Sequence, residues 1–300
     1  MTEGALVLEG GSLRCLFTAG VLDVLTEEGI ELSYVNGVSA GTMTGMNYIT
    51  GQKGRILRIN EEYLHDKRYM GINNLLKNRQ VFNFGFVFGE LSEKLVPFDY
   101  DRFYGSPQKF EVVATRCKTG KPEFFEKGQC SEMIQAIQAS SSMPLLSSMV
   151  TVNHKKYLDG GISLPIAYQR AIDLGYEKIV LILTRNHGYR KKSLSSMTLR
   201  AYDRYFAPLP ELRASLYEVP ERYNRMQEEI EQLEKEGRIF VIRPKEPVRV
   251  SRLERDLGKL KELHQEGVET ARERLSELRR YLMSEKPAEG REENRRNEVY

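Results

Sequence analysis

Short apolar runs alternate with amphipathic segments through the first 184 residues, and this alternation is the feature that most restricts the fold. We interpret the apolar runs as strands at Ala5–Glu9, Tyr34–Val38, Phe110–Arg116, Lys155–Leu158 and Lys178–Thr184. Apolar residues at helical spacing lie between them, over Leu13–Glu28, Gly41–Thr50, Ile56–Leu64, Ser131–Ala139 and Ile166–Leu174. This order predicts an α/β fold in three layers, with a central, mostly parallel sheet covered by helices on both faces.

The remainder of the chain is richer in Glu, Arg, Lys and Leu. The pattern predicts helices over Pro208–Glu236 and Leu253–Met283, with a strand over Arg238–Arg243 between them. The last helix carries an interrupted apolar stripe, which favours packing against the sheet. The alternative is a helix lying on a membrane surface, but the evenly mixed charges are atypical of that role.

These elements predict a single domain over residues 1–283. Its catalytic core would span about 4–184, and a helical C-terminal part would span about 185–283. Residues 284–300 are polar and charged, so we expect them to form a disordered tail.

Composition excludes several classes of protein. A net charge of +3 over 300 residues supplies no general field for nucleic acid. No apolar run approaches the roughly 20 residues of a membrane-spanning helix, and the N-terminus has no signal-peptide pattern. We therefore expect a cytoplasmic protein, with at most transient peripheral contact with the inner face of the membrane. The three scattered cysteines predict neither a disulfide framework nor a zinc site.

Gly37-Val38-Ser39-Ala40-Gly41 matches the GxSxG pattern between a predicted strand and a predicted helix. A nucleophilic serine needs that context, because small neighbours allow a sharp turn that presents its hydroxyl outward. The helix N-terminus beneath the turn favours developing negative charge. The pattern alone is weak, since an ordinary Gly-Ser turn also satisfies it.

Two further turns strengthen the interpretation of Ser39 as a nucleophile. Glu9-Gly10-Gly11-Ser12-Leu13-Arg14 follows the first strand, where exposed N–H groups could stabilise an oxyanion; a phosphate-binding turn is the alternative. Asp159-Gly160-Gly161 follows a later strand, where the aspartate could approach another backbone segment. Considered by itself, it could equally be an ordinary Asp-Gly turn.

A serine hydrolase usually employs a histidine base, yet none of the four histidines takes a convincing position. The sequence instead places His154 in a hairpin turn and His264 in the charged C-terminal helix, with His65 and His187 near the ends of elements. An aspartate can itself accept the serine proton when close enough. The pattern therefore predicts a Ser–Asp dyad.

Together, these motifs resemble those of the patatin-like phospholipases, particularly a bacterial subgroup. The likeness extends to Gln138-Ala139-Ser140-Ser141-Ser142-Met143-Pro144, which is similar to the family's Ala-Ser-x-x-x-Pro segment. The resemblance implies a patatin-like α/β/α fold and an acyl hydrolase that acts on lipid esters without a metal or other cofactor.

The resemblance also assigns roles to residues. It implies that Ser39 is the nucleophile and Asp159 the base, and that Gly37, Gly41, Gly160 and Gly161 support their turns. The implied oxyanion loop contains Gly10, Gly11 and Ser12, with Arg14 at its basic position. The sequence departs from the family where Ser12 and Cys15 replace glycines, and a side chain at position 12 is costly if the backbone there has positive φ.

Phe82, Phe84, Phe86 and Phe88 alternate along the chain. In an extended segment all four would project to one face, which could line an acyl-chain groove or contact a membrane; burial in the core is the alternative. The basic stretch Arg185–Lys192 could meet anionic headgroups, and a solvated loop is the alternative.

The function predicted is hydrolysis of fatty-acyl esters of phospholipids or lysophospholipids. A lipid-binding or regulatory protein with little catalysis, motivated by Ser12 and Cys15, and a broad carboxylesterase are the alternatives. The partner is a lipid or acyl-ester substrate rather than nucleic acid, and the oligomeric state is left open.

Overall fold

The computed structural model describes residues 1–71, 74–75 and 79–284. Eight strands of these residues form one sheet: β1 (Thr2–Leu8), β2 (Leu32–Val38), β3 (Lys109–Arg116), β4 (Pro122–Glu126), β5 (Val150–Val152), β6 (Lys155–Asp159), β7 (Ile179–Ile182) and β8 (Phe240–Ile242). Their order is β5-β6-β3-β2-β1-β7-β8, and β4 also pairs with β3. The neighbours from β3 to β8 are parallel, while β4, β5 and β6 are antiparallel additions. The predicted, mostly parallel sheet is confirmed.

The helices among the described residues are α1 (Cys15–Glu27), α2 (Ala40–Ile49), α3 (Arg55–Tyr63), α4 (Phe84–Phe86), α5 (Tyr100–Gly105), α6 (Met133–Ser140), α7 (Tyr168–Asp173), α8 (Ser196–Tyr205), α9 (Pro210–Tyr217), α10 (Val219–Lys235) and α11 (Leu257–Met283). A π-helical stretch over Val87–Leu95 follows α4 directly. Single 3-10 turns occupy Ser12–Arg14 and Gly160–Ile162.

The sheet is covered on both faces, as expected from its apolar strands. In β1, Leu6 and Leu8 pack into a core with α1 and α11, whereas Ala5 and Val7 pack into a second core with α7 and α10. Alternate residues of a strand point to opposite faces, so a strand buried on both sides must be apolar throughout. The three-layer α/β/α arrangement is therefore confirmed.

The C-terminal region joins the same sheet and the same core. β8 pairs with β7, and α11 packs along α1 with Leu260, Leu263 and Leu278 buried. His264 is also buried there, and its Nε2 lies 2.9 Å from Oδ2 of Asp23 on α1. The apolar stripe of α11 thus faces protein, which contradicts the membrane-surface alternative for this helix.

No helix of the described residues is long and apolar enough to span a bilayer. The tail expected over 284–300 lies outside the described residues from position 285 onward. The hydroxyl of Ser284, the last described residue, accepts a hydrogen bond from Lys178 Nζ over 2.8 Å.

Candidate active site

The register of the sheet brings the three predicted turns to one edge. Gly37 on β2 pairs with Leu8, so the turn that follows β1 lies beside the turn that follows β2. Val38 pairs with Val113, and the adjacent residue of β3, Ala114, pairs with Asp159. Segments that are 120 residues apart in sequence therefore meet at one point.

Ser39 occupies a strained turn between β2 and α2. Its φ of 55° and ψ of −129° lie where residues with a side chain are rare, a conformation that costs about 1–3 kcal/mol. The turn is tight, since a Cβ on Gly37 would lie 2.5 Å from Cα of Thr42 and one on Gly41 would lie 2.6 Å from the Leu8 carbonyl oxygen. The Ser39 N–H donates to Oγ of Ser140 over 2.8 Å, which holds the strained backbone in place.

The hydroxyl of Ser39 donates a hydrogen bond to Asp159. The distance from Oγ to Oδ2 is 2.7 Å. The other carboxylate oxygen, Oδ1, accepts the N–H of Gly161 over 2.8 Å, and Gly160 begins the turn that places this donor. The Asp159 backbone is fixed as well, because its N–H donates to Ser142 and its carbonyl oxygen accepts the Thr115 hydroxyl, both over 2.8 Å.

Burial changes the acidity of Asp159. The residue is 8% exposed, and desolvation raises the pKa of its carboxyl above the ordinary value. Hydrogen bonds from Ser39 and Gly161, and the positive charges of Arg252 and Lys191, lower this pKa and oppose the effect of burial. A carboxylate with a raised pKa is a better proton acceptor for a serine hydroxyl.

The turn after β1 lies directly against Ser39. A Cβ on Gly10 would be 2.9 Å from Cβ of Ser39, so only glycine allows this approach. In the described part of the chain, the N–H groups of Gly10 and Ser12 have no hydrogen-bond acceptor. The Gly11 N–H faces the Cys15 thiol, and the Arg14 N–H donates to the Gly11 carbonyl oxygen. The two free donors could therefore bind an oxyanion, and the Arg14 side chain lines the cavity beside Ser39.

Ser12 has a positive φ of 52°, a conformation that is costly for a residue with a side chain. Its hydroxyl donates to the Arg252 carbonyl oxygen over 2.6 Å. Cys15, the other departure from glycine, is buried, and desolvation raises the pKa of its thiol to about 12. That thiol is therefore a small packed group rather than a nucleophile.

Two cavities open on Ser39, and Ser12 and Met143 also line both. The first, which we call the apolar cavity, has a volume of about 100 Å³ and runs between α2, α3 and the segment around residues 82–88. Its wall includes Met43, Ile56, Phe82, Phe84, Phe88 and Tyr100.

The four phenylalanines do not form an extended segment, so they do not share one face, and Phe84 and Phe86 are buried as in the core alternative. Asn83 caps a helix instead, because its side chain accepts the Phe86 N–H over 3.2 Å. Phe84 and Phe88, four residues apart, come to one side with ring centroids 6.2 Å apart. Phe82 reaches the apolar cavity as well, but Phe86 packs against Tyr63 outside it.

The second cavity, which we call the cationic cavity, has a volume of about 290 Å³. Its charged lining residues are Glu9, Arg14, Asp159, Arg185, Lys191, Lys192 and Arg252. Of the basic stretch after β7, Lys191 is partly covered, with its Nζ 4.0 Å from the Tyr223 ring centroid. Desolvation lowers the pKa of Lys191 to about 8, whereas the adjacent Lys192 is exposed, so the basic stretch is solvated only in part.

The histidines take no part in either cavity. His65, His154 and His187 are exposed, and His264 is paired with Asp23 on the opposite end of α1 from Ser39. His154 lies in the β5–β6 hairpin turn, as predicted. Among the described residues there is also no group of three or more His, Cys, Asp or Glu side chains arranged to hold a metal ion.

The three turns lie within the part of the chain that matches a known family model. The family model described as patatin-like phospholipase matches residues 6–170, which is more than half of the chain. The chain belongs to the patatin-like phospholipase family. That membership supports a lipid acyl hydrolase in general terms. A second model, a domain of unknown function (DUF6363), matches residues 209–283.

Individual relatives are distant. The chain is 28% identical over 185 residues to the uncharacterized protein YjjU of Escherichia coli (strain K12), a match that covers 60% of this chain and 51% of YjjU. The chain thus spans about half the length of this relative. Among solved structures, VipD from Legionella pneumophila aligns with a TM-score of 0.49 and 13% identity, covering 92% of this chain and 67% of VipD.

This patatin-like site contains residues that sequence reasoning missed. Glu9 is buried and accepts hydrogen bonds from the Thr184 N–H and the Tyr223 hydroxyl, which ties the turn after β1 to β7 and α10. Ser140 supports the nucleophile, and Arg252 approaches from the C-terminal region. Ser140 and Glu9 had a signal in the sequence, since Ser140 belongs to the Ala-Ser-x-x-x-Pro segment and Glu9 begins the glycine turn after the first strand. The sequence analysis assigned no role to Arg252.

Proposed function

We propose that this protein is a serine acyl hydrolase that cleaves fatty-acyl esters of phospholipids or lysophospholipids through a dyad of Ser39 and Asp159. The observation that carries the proposal is the 2.7 Å hydrogen bond from Ser39 Oγ to Asp159 Oδ2. It joins a strained serine at a helix N-terminus to a buried carboxylate, beside two free N–H donors and an apolar cavity.

The geometry supports a two-step reaction. Asp159 accepts the Ser39 proton while Ser39 Oγ attacks the ester carbonyl carbon, and the resulting oxyanion lies against the N–H groups of Gly10 and Ser12. Asp159 then gives the proton to the departing alkoxide, which leaves an acyl-serine. In the second step Asp159 takes a proton from water, the hydroxide displaces the acyl group as a fatty acid, and Ser39 recovers its proton.

The two cavities support a lipid rather than a small ester as substrate. The apolar cavity removes an acyl chain from water, which stabilises binding by about 0.8 kcal/mol per methylene group. We assign Phe82, Phe84 and Phe88 to this chain, and Phe86 to the packing of the segment that carries them. Transient contact with a membrane or micelle would deliver the substrate.

Ser12 and Cys15 suggested a non-catalytic lipid-binding role, but the structure at neither residue favours that role. Ser12 accepts the positive φ of the turn, and Cys15 is a small packed residue. A panel of dispersed phospholipids, lysophospholipids and short soluble esters tests the proposal. We expect fatty-acid release from the lipids by the wild type and none by Ser39→Ala. Turnover of short esters alone would indicate a broad carboxylesterase, and turnover by Ser39→Ala would refute the assignment of the nucleophile.

A further inference from the structure

The cationic cavity lies on the other side of Ser39 from the apolar cavity. Five basic side chains line it: Arg14, Arg185, Lys191, Lys192 and Arg252. The only carboxylates in its wall, among the described residues, are Glu9 and Asp159. Glu9 already accepts three hydrogen bonds, from the N–H and hydroxyl of Thr184 and from Tyr223, and Asp159 is the proposed base. The wall therefore carries a surplus of positive charge.

Arg185 and Lys191 contact aromatic rings, but the cavity cations lack the carboxylate partner that the neighbouring Arg190 has. Just beside the cavity, Arg190 makes a two-pronged ion pair with Glu231, with Nη2 2.9 Å from Oε2. Within the described part of the chain, none of the five cavity cations forms an ion pair. Arg14 is 8% exposed, and its Nε is buried with no hydrogen-bond partner among the described residues.

The cations also repel one another. After desolvation, the nearby charges of Arg185 and Arg252 lower the pKa of Arg14. Arg252 and Arg14 likewise lower the pKa of Lys191, whereas the charge of Glu9 raises the pKa of both Lys191 and Arg14. A buried donor without a partner, among like charges, is stabilised when an anion enters.

The C-terminal region builds one wall of this cavity. Residues 6–170 match the patatin model, and Lys191 and Arg252 lie outside that range. Arg252 is held over the active site by the hydrogen bond from Ser12 Oγ to its carbonyl oxygen, at 2.6 Å. The ring of Tyr223 on α10 packs against the ammonium group of Lys191.

We propose that the cationic cavity binds a phosphate group of the lipid substrate. The preferred substrates are then acyl esters that carry a phosphate without a cationic choline or ethanolamine group. The inference rests on the function proposed above. The two cavities share Ser39, so an acyl chain in one and a phosphate in the other place the ester between them. A choline or ethanolamine group would bring a further positive charge into a wall that already has a surplus, and a neutral acylglycerol would leave the cations without a partner.

Three chain-matched substrates test this proposal: monooleoylglycerol phosphate, monooleoylglycerophosphocholine and monooleoylglycerol, each in the same neutral detergent micelles. The readout is the ratio of kcat/KM for the phosphate ester to kcat/KM for monooleoylglycerol, so a general loss of activity cancels. We expect a ratio of about ten or more for the wild type, the effect of one charge-assisted hydrogen bond. The phosphocholine ester should fall between the other two.

Arg252→Gln and Lys191→Met should each reduce that ratio by about tenfold. Arg255→Gln is the matched control, because Arg255 lies three residues from Arg252, is exposed and does not line the cavity. It should retain the wild-type ratio. An equal fall in Arg255→Gln would mean that attraction to the micelle surface causes the preference, and this would overturn the proposal.

The remaining outcomes are also decisive. A wild-type ratio near one, or a ratio unchanged in both cavity variants, removes the phosphate site but leaves the acyl hydrolase in place. No hydrolysis of any ester by the wild type removes both proposals. Inorganic phosphate, added to an assay with a short neutral ester, distinguishes a substrate group from a free ligand. If inorganic phosphate changes this rate while the wild type shows no preference for the phosphate ester, the cavity binds free phosphate. That result would overturn the proposal that it binds the phosphate group of the substrate.

Discussion

Ser12 combines a strained backbone with a hydrogen bond to the C-terminal region, and two substitutions separate these contributions. Its φ of 52° lies in the left-handed region, where a residue with a side chain costs about 1–2 kcal/mol. Its hydroxyl donates to Arg252 over 2.6 Å, and a neutral hydrogen bond contributes about 0.5–1.5 kcal/mol net. Ser12→Ala removes the hydrogen bond and keeps the strain, whereas Ser12→Gly removes both.

We therefore expect Ser12→Ala to lower the free energy of unfolding by about 1 kcal/mol. For a chain of this size, that loss lowers Tm by about 2–4 °C. Ser12→Gly gains about 1–2 kcal/mol from relief of strain but loses about 0.4–1 kcal/mol to the freer unfolded chain. The glycine variant should thus be more stable than the alanine variant by about 0.5–1 kcal/mol.

Thermal unfolding followed by circular dichroism compares the three proteins directly. Hydrogen–deuterium exchange over residues 248–256 serves as the control, because both variants lose the hydroxyl and should exchange faster there. A glycine variant that is less stable than the alanine variant would refute the role of backbone strain. Wild-type exchange in both variants would refute the hydrogen bond as the restraint on this segment.

Four further predictions concern the dyad and the apolar cavity. Asp159→Asn should lower kcat by at least about 100-fold without lowering Tm, because an amide still accepts the Gly161 N–H and a buried charge is removed; a retained kcat would exclude the dyad. The raised pKa of Asp159 means that the carboxyl binds its proton more tightly in the folded than in the unfolded protein. The free energy of unfolding of the wild type should therefore increase relative to that of Asp159→Asn as the pH falls. The acid limb of the pH–rate profile should follow the same pKa and move to higher pH in Arg252→Gln, which lacks a charge that lowers it; an unmoved limb would contradict this coupling. Phe88→Ala should reduce kcat/KM about tenfold for a decanoate ester and little for an acetate ester, as measured with matched nitrophenyl substrates, and equal losses on both would argue against a role in chain binding.

Much of the fold follows from local patterns in the sequence. The strands at β1, β2 and β3 are apolar runs long enough to be buried on both faces, and their ends agree with the prediction to within a few residues. The turns at Ser39 and Asp159 depend on small neighbours that are visible in the sequence. The distance between these two residues depends on β3, which pairs with both β2 and β6 and so adjoins both turns.

The errors arise where local patterns are ambiguous or where partners are remote. Phenylalanines at every second position suit a strand, but Asn83 provides a helix cap and helical spacing brings Phe84 and Phe88 together. The cationic cavity forms only when folding brings Lys191 and Arg252 beside Arg14. These residues are more than 170 positions away from Arg14 in the sequence, so no local pattern predicts the cavity. No local feature of the basic stretch distinguishes a covered lysine from a solvated one.

The central claim is that Ser39 is the nucleophile and that Asp159 activates it. Covalent labelling with a fluorophosphonate, followed by peptide mass mapping, tests this claim most directly because it reports the site of attack without knowledge of the natural substrate. We expect one adduct, on Ser39, that is absent from Ser39→Ala and forms much more slowly in Asp159→Asn. An adduct on another residue, or equal labelling of Ser39→Ala, would contradict it.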